Sequence, residues 1–151
     1  IEDHQKEALD KDVKISFESK NNVTNTIYAD EARLQQVIDN LISNAINFTN
    51  NGHIMISAYR GKEDNNGKND DADKESVVVE IKDTGAGINP EMIPRLFEKF
   101  ATRSISGTGL GLYISKSIVD SHGGKIWAYN NKDGKGATFT FTLPLDKKSK
   151  K

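Results

Sequence analysis

Residues 30–48 read DEARLQQVIDNLISNAINF, and the spacing of their apolar positions decides the fold class. Leu34, Val37, Ile38, Leu41, Ile42, Ala45 and Phe48 recur at steps of three and four, which predicts a helix whose continuous apolar stripe faces a core. Asp30 supplies an N-cap, and Asn51-Gly52 ends the helix in a turn. The helical repeat sets Asn40, Asn44 and Asn47 in one narrow stripe at the border of the apolar face, beside Val37. Asn44 is expected to be partly buried there, where an amide without partners costs about 1–3 kcal/mol. A carboxamide oxygen suits a hard cation such as Mg²⁺, and a carboxamide equally well caps a neighbouring loop.

On either side of this helix the pattern changes to alternation. Val13 to Ser19 places Val13, Ile15 and Phe17 on one face, His53 to Tyr59 alternates through Ile54, Ile56 and Ala58, and Val77 to Lys82 is an apolar, β-branched run. Three strands are predicted, the second and third joined by a long, mobile, polar hairpin connection over 60–76. Asn89-Pro90-Glu91 has the composition of a helix start, with Pro94 restarting or kinking that short element. Leu110 to Ser121 reads as a third helix stopped by Gly123-Gly124. Lys125 to Tyr129 and Ala137 to Leu143 read as two closing strands joined through Asp133-Gly134. Because Thr138, Thr140 and Thr142 alternate with Phe139, Phe141 and Leu143, the last strand is expected to have one wet and one buried face.

The 151 residues suit one domain of mixed α and β structure. Residues 1–12 read as a linker or the end of an upstream helix holding little core, 13–145 as the domain, and 146–151 as a basic tail. With 21 basic against 22 acidic residues the formal net charge is −1, so no attraction to nucleic acid or to a bilayer follows. Cysteine is absent, which removes disulfide and thiolate chemistry. No run of about 18 apolar residues predicts a membrane span. The start at Ile1 fits a soluble piece cut from a longer protein, membrane-attached or not.

Two further segments carry chemistry. Asp83 closes an apolar strand and is followed by Thr84-Gly85-Ala86-Gly87-Ile88, so that glycines let the backbone turn and leave a carboxylate on a cavity wall. Such an acceptor can read the exocyclic amine of adenine, or simply stabilise a turn. The tetrad Asp83-Thr84-Gly85-Ala86 also resembles that of retroviral aspartic proteases, but those need an almost all-β chain, which the helices here contradict. Gly107-Thr108-Gly109-Leu110-Gly111-Leu112 opens a helix, where free backbone N–H groups and the positive helix end attract an anion such as phosphate. Leu112 stands where a dinucleotide fingerprint has its third glycine, and the Gly-Lys-Ser/Thr ending of a P-loop is missing.

In this order the segments resemble the catalytic, ATP-binding domain of sensor histidine kinases, within the ATPase group that also contains gyrase, the Hsp90 chaperones and the MutL proteins. The likeness runs from about Val13 to Pro144. Asn40 to Ala45 with Phe48-Thr49 is similar to the N box, Asp83 to Ile88 to the G1 box, Phe97-Glu98-Lys99-Phe100 to the F box, and Gly107 to Leu112 to the G2 box. His122 to Trp127 and the Gly134-Lys135-Gly136 turn match as well. The resemblance implies an α+β, two-layer α/β sandwich (the Bergerat fold), with a mixed, mostly antiparallel sheet of about five strands under three helices. It implies ATP and Mg²⁺ as ligands, Asn44 holding the metal with help from Asn40, and Asp83 reading adenine as Gly85, Gly87 and Ile88 allow its approach. The backbone of Gly107, Thr108, Gly109, Leu110, Gly111 and Leu112 would hold the phosphates, with Thr138 also among the ATP-binding positions. Phe97 and Phe100 read as anchors of a lid.

Departures from the family pattern sharpen this reading. Hydrolytic members carry Glu where this chain has Asn40, and an amide is no general base, which favours transfer to an external nucleophile. Asn47 stands where many relatives have a cation near the phosphates, so Lys99 and Arg103 become the candidates, Arg103 preferred for its guanidinium fork. The lid from Ala101 to Ser106 is short, and Ala137 lacks a hydroxyl found near adenine in some relatives. His4, His53 and His122 are poor acceptors, the last read as a structural cap. The implied reaction is therefore transfer of the γ-phosphoryl group to a histidine on a separate dimerisation domain of the same receptor, followed by a response regulator. The implied setting is a monomeric isolated domain within a homodimeric parent, on the cytoplasmic side. A serine kinase of the anti-sigma type and a non-catalytic nucleotide sensor are the alternatives.

Overall fold

A computed structural model describes residues 2–20, 29–62, 75–101 and 109–145. Helix α1 (Glu2–Asp10) leads into strand β1 (Val13–Ser19), followed by α2 (Glu31–Phe48), β2 (Gly52–Lys62), β3 (Glu75–Asp83), a single 3₁₀ turn (Ile93–Arg95), α3 (Gly111–Ser121), β4 (Ile126–Asn130) and β5 (Ala137–Pro144). The strands form one five-stranded sheet in the order β1-β2-β3-β5-β4. Only β1 and β2 run parallel; β2–β3, β3–β5 and β4–β5 are antiparallel.

The register divides the sheet into two faces. Ile54, Ile56, Ile81, Phe139, Phe141 and Ala128 share the face that the helices cover, and with Val37, Leu41, Ile42, Leu112 and Val119 they form one buried cluster. This is the two-layer α+β sandwich that the family resemblance implies. Asp83 stands on the same face as Ile81, paired with Ile54 across the sheet. The alternation that builds the core thus carries a carboxylate to the edge of it.

Four expectations are corrected, and the reading of residues 1–12 is filled out. That segment forms α1, the helical alternative, and packs on the domain: Ala8 is only 2% exposed, Lys11 Nζ donates to the carbonyls of Ile46 (2.5 Å) and Asn47 (3.1 Å) at the end of α2, and Asn51 N–H donates to Lys11 O. Phe48, assigned to the apolar stripe of α2, is half-exposed, and Ile46 takes the core position instead. The segment from Asn89 forms turns and one 3₁₀ turn in place of a regular helix, so the third helix of the layer is α1. Strand β5 has no wet face: Thr138, Thr140 and Thr142 are all buried. Strand order explains this, because β5 lies between β3 and β4, and Glu80, Lys82, Trp127 and Tyr129 flank its threonines on the outer face. Phe17, on the inner face of edge strand β1, remains largely exposed. Most of the 60–76 connection and all of 146–151 lie outside the described residues, although the antiparallel β2–β3 pairing bears out the hairpin.

Candidate functional site

Helix α2 touches both of the other motifs. Asp30 caps its start by accepting from Arg33 N–H, and His122 Nε2 accepts from Asp30 N–H while Nδ1 meets Ile118 O, so this histidine is indeed a structural cap. Midway, Asn40 Nδ2 donates to Gly111 O and to Ser115 Oγ, both at 3.3 Å, which joins α2 to the first turn of α3. At its end, Phe48 O accepts from Ala86 N–H at 3.1 Å. A Cβ on Gly85 would lie 2.1 Å from that same carbonyl, so glycine is what lets the loop after β3 seat on the helix end. Phe100 N–H donates to Gly109 O, linking the 97–100 segment to the glycines before α3. Four motifs far apart in sequence are therefore joined by hydrogen bonds around one helix.

Within this frame Asp83 is 3% exposed. Its Oδ1 accepts from Gly85 N–H (2.9 Å) and Ala137 N–H (3.2 Å), leaving Oδ2 as the acceptor available to a ligand. Burial pushes its carboxyl pKa up, and the two backbone N–H groups pull it part of the way back. Half-buried Asn44 makes no side-chain hydrogen bond among the described residues, and Asn40 keeps its carbonyl oxygen free after spending its N–H groups on α3. Asn47 is exposed. Gly87 and Gly109 both take positive φ (79° and 73°), conformations that glycine adopts without strain. Gly111 begins α3, and among the described residues no N-cap side chain accepts from its first turn.

Other expected residues sit differently. Arg103, Gly107 and Thr108 lie outside the described residues. Lys99 Nζ lies 5.0 Å from the centre of the Tyr113 ring, a cation–π seat on α3. Phe97 packs edge-on against Phe139 and anchors its segment, whereas Phe100 is 62% exposed and its backbone N–H donates to Gly109 O. Leu112 belongs to the core, while Leu110 and Ile88 are half-buried. Thr138 pairs with Lys82 and so lies on the opposite face of the sheet from the Asp83 side chain. Its hydroxyl donates to Asn131 Oδ1 at 2.6 Å, which makes it a support behind the strand.

Two residues escaped sequence reasoning. Asn131 Nδ2 donates to Asp83 O (2.9 Å) and to Lys135 O (2.8 Å). Asn130 pairs with both backbone groups of Ile88, its Oδ1 accepting from Ile88 N–H and its Nδ2 donating to Ile88 O, each at 2.7 Å. The available signal was an Asn-Asn doublet between an apolar strand and a glycine turn, which reads first as turn chemistry.

Comparison with known proteins agrees with this arrangement. Residues 29–147 match the model of the histidine kinase-, DNA gyrase B- and HSP90-like ATPase family. The sensor protein FixL of Bradyrhizobium diazoefficiens is 37% identical over 137 residues, which cover 91% of this chain and 25% of FixL. The chain thus spans about a quarter of that relative. The catalytic domain of histidine kinase ThkA superposes with a TM-score of 0.72 at 34% identity, covering 93% of this chain and 84% of that one. Full-length ShkA in complex with AMPPNP gives a TM-score of 0.76 at 30% identity, over 95% of this chain and 28% of ShkA. The chain therefore belongs to the histidine kinase-, DNA gyrase B- and HSP90-like ATPase family, in its sensor histidine kinase branch.

Proposed function

We propose that this domain binds Mg-ATP and presents the γ-phosphoryl group to a histidine on a separate dimerisation domain of its parent protein, which then serves a response regulator. The observation that carries the proposal is the set of hydrogen bonds from α2 to both Gly111 and the Asp83–Ile88 loop. They gather the Asn44 carboxamide, a buried carboxylate with one open oxygen, and a helix start that no N-cap side chain closes among the described residues.

In this reading Asp83 Oδ2 accepts from the adenine amine, and Gly85, Gly87 and Ile88 bring the base alongside. The backbone from Gly107 through Thr108, Gly109 and Leu110 to Gly111 takes the phosphates at the positive end of α3. Leu112 serves only through its backbone, because its side chain is core. Asn44 and Asn40 offer carboxamide oxygens. Among the described residues no group of three or more His, Cys, Asp or Glu gathers as a metal site, which suits a cation held mainly by phosphate oxygens and water. Asn44 and Asn40 would hold Mg²⁺ there, and the ion would supply neutralisation of phosphate charge. Arg103 is assigned the remaining charge, and Lys99 and Asn47 the rim; Phe100 stands beside the nucleotide opening. No carboxylate occupies position 40 to activate water, so the domain's part is to position the donor. We place the domain on the cytoplasmic side, as a monomer in isolation within a homodimeric parent.

The test is to mix the chain with a dimerisation domain carrying its acceptor histidine, labelled ATP and Mg²⁺. Acid-labile label on that histidine is expected. No label despite measured ATP binding overturns the kinase reading, and an acid-stable product points to a serine acceptor.

Asn44→Ala provides a second check. Titration calorimetry should show ATP affinity falling about tenfold with Mg²⁺ present and far less with the metal chelated. Equal loss in both conditions would make Asn44 structural.

A further inference from the structure

The Asp83–Ile88 loop has a weakness built into it. It contains two glycines, one at positive φ, yet it has to aim a single carboxylate oxygen. Its first end is anchored by strand pairing on one side of Asp83 and its last end leaves the sheet altogether. Between its ends it is tied to His53 through Thr84 and to Phe48 O through Ala86 N–H, and at Asp83 and Ile88 the carboxamide doublet that closes β4 adds a side-chain tie to each end.

We infer that Asn130 and Asn131 are positioning residues for base recognition, a two-point clamp that sets the direction of the Asp83 carboxylate and thereby the selectivity for a 6-amino purine. This rests on the reading of Asp83 as the base acceptor. Asn131 is 7% exposed and fully engaged: its two amide N–H groups go to Asp83 O and Lys135 O, its oxygen accepts from Thr138, and its backbone N–H donates to Gly136 O at 3.0 Å. It binds the end of β3, the turn and the start of β5 into one unit behind the carboxylate. Asn130 acts on the other end, giving Ile88 the donor and acceptor that a neighbouring strand would give. Only a planar group with both functions can do this; aspartate lacks the donor and serine the span. Gly87 completes the fit, since a Cβ there would stand 3.0 Å from Asn130 Oδ1. The six residues from Asp83 to Ile88 are thus fastened at their first and last members by adjacent side chains, which adds to the bonds that Thr84 and Ala86 make with His53 and Phe48.

The experiment compares two nucleotides by calorimetry on the full chain with Mg²⁺: ATP and purine riboside triphosphate, which lacks the 6-amino group. Wild type should prefer ATP. Asn130→Ala and Asn131→Ala should each lower that preference about fivefold, because the hydrogen bond to Oδ2 is no longer held in line. The affinity for the purine analogue should change less than about twofold in both. Affinities for both nucleotides falling in parallel, or an unchanged preference, would make the doublet a purely structural feature and overturn the inference. Asn130 is half-buried and tolerates truncation better, so Asn130→Ala alone decides if Asn131→Ala does not fold. Asp83→Asn separates the two levels of argument. If it leaves the preference intact, the base-reading role itself fails; if it abolishes the preference while Asn130→Ala does not, only the clamp fails.

Discussion

Replacing Asp83 by asparagine is expected to weaken ATP binding on the order of a hundredfold while leaving the melting temperature of the free domain equal or higher. The two effects have opposite signs because the carboxylate serves the ligand at the expense of the fold. An asparagine oxygen can still accept from Gly85 and Ala137 N–H, so the loop keeps its support. The new amide nitrogen then stands where Oδ2 was and meets the adenine amine as donor against donor. A 6-oxo purine offers an acceptor at that place, so the variant should shift in favour of inosine triphosphate relative to ATP.

The stability arm follows from proton linkage. Burial raises the Asp83 pKa in the folded state, so the folded domain holds this proton more tightly than the unfolded chain does. The stability contributed by the group is then fully present below its unfolded-state pKa and is lost as pH rises through the folded-state pKa. At neutral pH the buried carboxylate is a net cost. Asparagine does not titrate, so chemical denaturation of Asp83→Asn across the acid range should lack this component of the pH dependence. Unchanged ATP affinity would remove Asp83 from base recognition, and a marked drop in melting temperature would mean that the charge holds the fold together.

Much of the architecture was legible because it depends on local periodicity. The α2 stripe, its Asp30 cap and the alternation of Ile54 and Ile56 each report on neighbours within a few residues. The misreadings concern quantities that depend on the rest of the molecule. Thr138, Thr140 and Thr142 alternate as a half-wet strand should, but their burial is decided by which strands flank β5, and that order is not encoded in the strand itself. Phe48 continues the helical stripe, yet the last turn meets the Asp83–Ile88 loop and leaves the ring half-exposed. Ala8 was invisible in a charged segment because a single small residue makes no period. At the site, Asp83, Asn40 and the glycines carried their own signals of chemistry and flexibility. Asn130 and Asn131 offered only a doublet that reads as turn chemistry, since their hydrogen-bond partners Ile88 and Asp83 lie more than 40 residues away in the chain.

Gly136→Ala is expected to be a severely damaging single-methyl change, costing about 3 kcal/mol or more. Two independent penalties meet there. Gly136 has φ of 78°, which a side chain adopts only with strain of roughly 1–2 kcal/mol. An added Cβ would also lie 2.0 Å from Asp83 O and 2.7 Å from Asp83 Oδ1. The first contact is with strand backbone, which cannot rotate away, so either the 131–136 turn lifts or the end of β3 shifts. Both movements break the Asn131 hydrogen bonds to Asp83 and Lys135, and the carboxylate loses its bearing with them. Gly134 is the internal control. Its φ is 79°, nearly the same, but a Cβ there meets nothing within 4 Å. Gly134→Ala should therefore cost only the conformational strain, roughly 1–2 kcal/mol, and leave ATP selectivity untouched. Urea denaturation of the two variants isolates the steric component, because the backbone component is common to both. A similar loss in the two would show that the turn does not press against Asp83, whereas a much larger loss at Gly136 together with lower ATP affinity is the expected result.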